Sequence, residues 1–308
     1  MLRSLYSGVS GMKTNQTKMD TIGNNIANVG TTAFKSESVR FQDMLNQNMS
    51  DAQAPTDSQG GVNAKQIGLG VKVGAIDTLM TEGSMQTTNR GLDFAIAGNG
   101  FFVVSPDKYG DNKLYTRDGA FYRDSASNLV NASGNRVLGY VPQGYDPSNP
   151  DKADTYKSAS GTTLTSGDAM APLSIPSTIK VTGSDGTEKT LNMESYSIDG
   201  SGQITGVFDD GNSYLLGQLA MGNFNNPEGL EKVGSNNYAV SNNSGSAMYG
   251  TANASGFGTV NQGMLEMSNV DLASEFTEMI VTSRAYQANA KTITTSDDML
   301  QELMNLKR

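Results

Sequence analysis

Carboxylates, lysines and tyrosines are what this chain of 308 residues offers for chemistry, because it contains no histidine and no cysteine. Nucleophile systems built on Ser-His-Asp or Cys-His are therefore absent, as are disulfides and zinc sites made from thiolate or imidazole. Isolated acids such as Asp93 and Glu194 have the chemistry of a glycosidase pair, which needs two carboxylates and little else. Sequence does not fix their separation, and as solvating charges they require no function. Asp209-Asp210-Gly211-Asn212 offers oxygen ligands suited to calcium, yet the remaining positions of an EF-hand or a repeated calcium loop are missing. The same four residues make a hairpin turn. Gly68-Leu69-Gly70-Val71-Lys72-Val73-Gly74 has neither GxGxxG nor Walker spacing, and no helix follows to aim a dipole at a phosphate; it reads as a strand entry with turns. The sixteen methionines read as adaptable packing in seams and at sliding contacts. The expectation is no catalytic residue, no cofactor and no metal.

The bulk composition points the same way. Thirty-five glycines and 17% charged residues, against about 25% in ordinary domains, describe a turn-rich chain with a polar surface and β-structure in its middle. A net charge of −9 repels phosphate backbones and anionic membranes, and no block of Lys or Arg offsets it; nucleic acid and membrane are not expected partners. No stretch approaches the 18 or so apolar residues of a membrane span. From Met1 to Lys13, Arg3, Ser4, Ser7 and Gly8 interrupt the apolar residues, unlike the core of a secretory signal.

The two ends must do the positioning. Leu5, Met12, Met19 and Ile26 recur every seven residues, with Leu2 and Val9 on interleaved positions, so an amphipathic helix is expected over about residues 2–28. Leu272, Met279, Tyr286, Ile293 and Leu300 form a second seven-residue repeat, with Phe276, Ala290 and Met304 as companions beside polar Ser283 and Asp297. No Gly or Pro occurs from Leu272 to Leu306, Asp271 fits an N-cap, and Lys307 and Arg308 fit the negative end of the dipole. Thr292, Thr294 and Thr295 are the expected weak spot. Gly8, Gly11 and Gly23 each cost about 1 kcal/mol relative to Ala inside a helix, so the first helix needs a partner. The matching C-terminal stripe, neighbouring copies of the chain, or both would serve.

Between the ends, residues 31–66 read as a connector arm, with a polar stretch from Asn46 to Gln66 containing Pro55, Gly60 and Gly61. Strands are expected from Ile67 onward. Leu92, Phe94 and Ile96 alternate before Gly98-Asn99-Gly100, and Phe101 to Val104 returns as the second arm of a hairpin. Short strands at 114–117, 120–123, 128–130 and 136–141 continue a meander. A boundary follows at Pro142 to Asp154, with Pro147 and Pro150, and short segments to about residue 213 read as an inserted domain. The expected fold class is mixed but mainly β, with nested domains: a terminal α-helical coiled-coil layer (1–30 and 268–308), the arm, a core β-domain (67–141 and 214–267) and a small inserted outer β-domain (142–213).

At both ends the residues resemble a known family. Met19-Asp20-Thr21-Ile22-Gly23-Asn24-Asn25-Ile26-Ala27-Asn28-Val29, then Thr31-Thr32-Ala33-Phe34-Lys35, resembles the N-terminal signature of bacterial flagellar rod and hook axial proteins. Glu266-Met267-Ser268-Asn269-Val270-Asp271-Leu272, with Glu275-Phe276-Thr277-Glu278-Met279-Ile280 and Arg284-Ala285-Tyr286-Gln287-Ala288-Asn289, resembles their closing segment. Arg90-Gly91-Leu92-Asp93-Phe94-Ala95-Ile96 and Tyr115-Thr116-Arg117-Asp118-Gly119 are similar to the family's β-domain. Ala33 departs from the pattern, which has Gly before Phe34-Lys35, and bears on the backbone of that turn. The resemblance implies a structural subunit, most similar to Gram-positive hook proteins, that self-assembles into a curved hollow hook transmitting torque from rod to filament. A distal rod subunit is the alternative, and an extracellular carbohydrate-binding or hydrolytic β-protein a remoter one. Implied partners are copies of itself, the distal rod, hook cap and hook–filament junction proteins, and the flagellar type III export apparatus. The implied location is the extracellular flagellum, reached without a cleaved signal peptide. The implied assembly residues are those of the two stripes with Asn24, Asn25, Asn28 and Phe34.

Overall fold

The computed structural model describes residues 2–55, 60–141, 170–182 and 188–306. The boundary expected at 142–154 and the basic pair Lys307-Arg308 lie outside them. The chain is mainly β with one long helix at each end, and it divides into two compact units. One comprises residues 1–29, 35–79 and 270–308; the other comprises 30–34 and 80–269.

In the first unit, α1 (Leu2–Ala27) and α2 (Leu272–Leu306) lie antiparallel, with Ser4 meeting Ser296 and Asn25 meeting Glu275. Asp271 caps α2, its carboxylate accepting the Ala273 N–H at 3.0 Å. The three threonines expected to weaken α2 do not interrupt it. Their hydroxyls donate to carbonyls of Ala288 and Lys291 one turn back, which keeps β-branched polar residues compatible with a helix. Thirty-five residues give a rod of about 52 Å.

The expected connector arm is a paired ribbon instead, and it is longer than 31–66. The strands β1 (Glu37–Asp43), β2 (Asn46–Ser50), β3 (Lys65–Gly68) and β4 (Val71–Thr78) pair as β1 with β4 and β2 with β3, all antiparallel. Polarity concealed part of this: β2 and β3 are exposed throughout, so no buried face marks them in the sequence. Residues 67–78, expected in the core β-domain, belong to this unit, and Gly70 makes the turn between β3 and β4 at φ +122°.

The second unit is built on one 13-stranded antiparallel sheet running through Thr178–Thr182, Glu188–Ile198, Gln203–Phe208, Ser213–Asn223, Arg136–Tyr140, Phe101–Ser105, Leu114–Thr116, Asn237–Ala239 and Glu231–Gly234, with short strands branching from it. Its central strands are buried on both faces. Phe102 and Val104 enter one apolar cluster, while Phe101 and Val103 enter another, as period-two geometry requires. The expected hairpin across 98–100 does not form. Phe94–Ala97 pairs with Thr259–Gln262, whereas Phe101–Ser105 pairs within the large sheet. Both strands are buried, so they occupy separate layers that pack through Phe94, Phe102 and Phe121, with ring centroids 5.3 and 5.9 Å apart.

The described part of the expected inserted domain does not close on itself. Leu173, Ile175, Ile179, Leu191, Ile204 and Phe208 share one cluster with Phe94 and Phe102, and their strands continue the main sheet. Asp209 to Asn212 is a hairpin turn, Asp210 accepting bonds from the Asn212 N–H at 3.0 Å and the Tyr214 hydroxyl at 2.8 Å.

A buried ion pair ties distant segments of this unit. Arg117 lies 3.3 Å from Glu266 and donates to the Gly98 carbonyl at 2.6 Å, while Glu266 accepts the Gly83 N–H at 3.0 Å. Removing one partner strands the other charge. Arg117→Met or Glu266→Met should each cost about 3–5 kcal/mol in chemical denaturation, and the double substitution less than either.

Candidate assembly surface

On α1 the contact with α2 is made mostly by small and polar side chains. Ser4, Gly8, Gly11, Asn15, Lys18, Ile22 and Asn25 follow the 3.5-residue spacing of a helix seam and include most of the buried positions of α1. A Cβ at Gly8 would stand 3.0 Å from Ile293 Cγ1, and one at Gly11 2.7 Å from the Asn289 amide nitrogen. Glycine therefore serves close approach here, at the expense of helix propensity. On α2 the facing residues are Met279, Thr282, Tyr286, Asn289, Ile293, Ser296 and Leu300. The expected repeat beginning at Leu272 thus borders the seam. Glu275, Thr282, Asn289 and Ser296 accompany it, whereas of the expected companions Ala290 is half-buried and Phe276 and Met304 are exposed.

Asn25 clamps three elements. It is almost fully buried; its side-chain carbonyl accepts the Glu37 N–H at 3.0 Å, and its amide donates to the Glu37 carbonyl at 2.9 Å and to Glu275 Oε1 at 3.0 Å. The amide thus continues β1 sideways into α1 and reaches α2. Two turns away, Lys18 pairs with Glu278 at 3.0 Å. Burial raises the Glu275 carboxyl above its ordinary range; the bond from Asn25 and the charge of Lys18 act against this, while the charges of Glu278 and Asp271 add to it.

The remaining residues singled out by sequence fall into distinct places. Leu5, Met12, Met19 and Ile26 are half-buried beside the seam, Val9 and Asn24 are exposed, and Leu2 opens α1. Asn28 donates its amide to the Asn24 carbonyl at 2.9 Å, closing the helix. Phe34, in the second unit, is half-buried, with the Lys232 ammonium 5.1 Å from its ring centroid. Ala33 there is buried at φ 55°, so the departure from Gly falls on left-handed backbone, where glycine carries no Cβ penalty.

Large apolar side chains face away from the pair. Phe276 is 50% exposed, Ile280 64% and Tyr6 71%, and Val281, Met299, Leu303, Met304 and Leu306 are exposed as well. Asp93 is buried and pairs with Arg90 at 3.2 Å, whereas Glu194 is exposed on its strand. Among the described residues no three acids gather as a metal site, and no helix is long and apolar enough to cross a membrane.

Comparison with known proteins sets the class. The family described as flagella basal body rod protein matches residues 5–35, the flagellar hook protein FlgE/F/G D1 domain matches 95–206, and the flagellar basal body rod FlgEFG protein C-terminal family matches 261–306. The chain belongs to the flagellar hook and rod protein family. It is 34% identical to the flagellar hook protein FlgE of Borreliella burgdorferi over an alignment of 444 positions, and 42% identical to the flagellar basal-body rod protein FlgG of Bacillus subtilis over 309, each covering both chains in full. The hook protein FlgE of Escherichia coli is 29% identical across 97% of this chain and 98% of its own.

Two outcomes test the seam. A carboxyl raised on folding adds stability below its unfolded value of 4.5 and loses it as pH climbs through the folded value. Resistance of the helical unit to urea should therefore fall as pH rises above about 4.5, and Glu275→Gln should flatten that slope. Gly8→Leu with Gly11→Leu should force the helices apart at about 1–3 kcal/mol of overpacking. Amide exchange across α1 should then accelerate roughly tenfold, while residues 101–105 exchange as before.

Proposed function

We propose that this chain is a structural subunit of the flagellar hook, polymerising outside the cell into a curved hollow universal joint that carries motor torque from rod to filament. The observation that carries the reading is the outward set of large apolar residues on both terminal helices. The chain spends its small residues on its own helix pair and leaves Phe276, Ile280, Tyr6 and Val9 for contacts between copies. Repetition of one heterologous contact that does not close generates a helical polymer. The helical unit supplies the contacts that continue from copy to copy, and the β unit, from a chain low in charged residues, shifts against its neighbours as the joint bends. The distal rod, hook cap and junction proteins are its neighbours, and it leaves the cell through the flagellar type III channel.

A second reading, a rod subunit forming a straight drive shaft, is favoured by length. Alignment to the rod relative needs almost no gaps, whereas the hook relative carries more than a hundred positions without counterpart here. Electron microscopy of polymers grown from the purified chain separates the two: curved tubes support the hook and straight rigid ones the rod. Phe276→Asp with Ile280→Asp should abolish polymerisation at any concentration reached by wild type, with the unfolding temperature of the monomer unchanged because both side chains are exposed in it.

A further inference from the structure

A groove of about 400 Å³ lies on α1, lined by Arg3, Tyr6, Val9 and Lys13 with Met44 and Leu69 from the ribbon. At about 100° per residue, the stripe of Arg3, Tyr6, Ser10 and Lys13 stands roughly half a turn around α1 from Gly8 and Gly11. The chain's own α2, packed on those glycines, therefore lies on the opposite side and cannot fill it. Tyr6 and Val9 are both more than half exposed, and the polar groups at the rim are cationic.

The same end of the helix pair offers a matching surface on α2. Ser4 meets Ser296, and α1 begins at Leu2, so α2 from Met299 to Leu306 runs about two turns past the start of α1. Met299, Leu303 and Leu306 recur at i, i+4 and i+7, all exposed, and Asp298 and Glu302 border them.

We propose that the last two turns of α2 from a second copy seat in this groove. Met299, Leu303 and Leu306 cover Tyr6, Val9, Met44 and Leu69, while Asp298 and Glu302 face Arg3 and Lys13. The inference rests on the polymer-subunit reading and specifies one of its contacts. Groove and overhang are different surfaces of the same molecule, so each copy filling one groove presents another overhang, and the contact propagates. Charge complementarity selects the register and speeds encounter.

The absence of native cysteine makes the test direct. Val9→Cys with Leu303→Cys, assembled and then oxidised, should give a ladder of covalent multimers on non-reducing denaturing gels. Either single variant should give no species beyond a dimer. Ser4→Cys with Ser296→Cys, bridging the chain's own seam, should give a crosslinked monomer. Arg3→Glu with Lys13→Glu should slow polymer growth about tenfold at low salt, and adding Asp298→Lys and Glu302→Lys to the same chain should restore it. Polymers of the Val9→Cys, Leu303→Cys variant that form yet yield no ladder, or a reversed charge set that restores nothing, would overturn this docking while leaving the subunit reading intact. A wild-type chain that never polymerises would remove both.

Discussion

The closeness of α1 to α2 is the constraint on which the rest of the first unit depends. With Gly8 against Ile293 and Gly11 against Asn289, α1 brings little apolar side chain of its own to this stretch of the seam. It is held by polar fits instead: the Asn25 clamp, the Lys18–Glu278 pair and the serine contact. Fully burying a side chain such as Phe or Ile is worth about 1.5–3 kcal/mol, and the helices leave several of that size in water. Their strongest unused driving force therefore points outward, toward whatever surface comes to cover them.

The second unit draws on different physics. Its central strands feed two apolar clusters at once, and Arg117 and Glu266 satisfy each other inside it, so its stability rests on contacts within 30–34 and 80–269. The two units thus divide the labour between a body complete in itself and a helical pair with burial outstanding. A polymer that bends needs both kinds of part, one to hold shape and one to bind.

Much of this was legible in the sequence. Seven-residue repeats located both helices almost to the residue, turn chemistry at Asp209–Asn212 gave a hairpin, and ordered motifs at the ends gave the family. The seam was less legible. Large apolar residues suggest the buried face of a helix, yet here Gly8, Gly11, Thr282 and Ser296 line the contact while Phe276 and Met304 stay exposed. The signal was present as small residues at 4, 8 and 11, which read first as losses of helix propensity. Strand partners were hidden for another reason. Phe94–Ala97 and Phe101–Ser105 are buried almost throughout, and a buried strand carries no sign of which layer it joins. The stretch from Asn46 to Gln66, largely polar and exposed, hid its own pairing.

The helix pair also sets an order of events. Ser4 and Ser296 are nearly the whole chain apart, and contacts of such separation close late because the intervening entropy must be lost first. Neither helix has its intrachain mate until the final residues have emerged and the body between them has compacted. Until both ends of the chain are present, the close-approach face of Gly8 and Gly11 has no Asn289 and Ile293 to pack on.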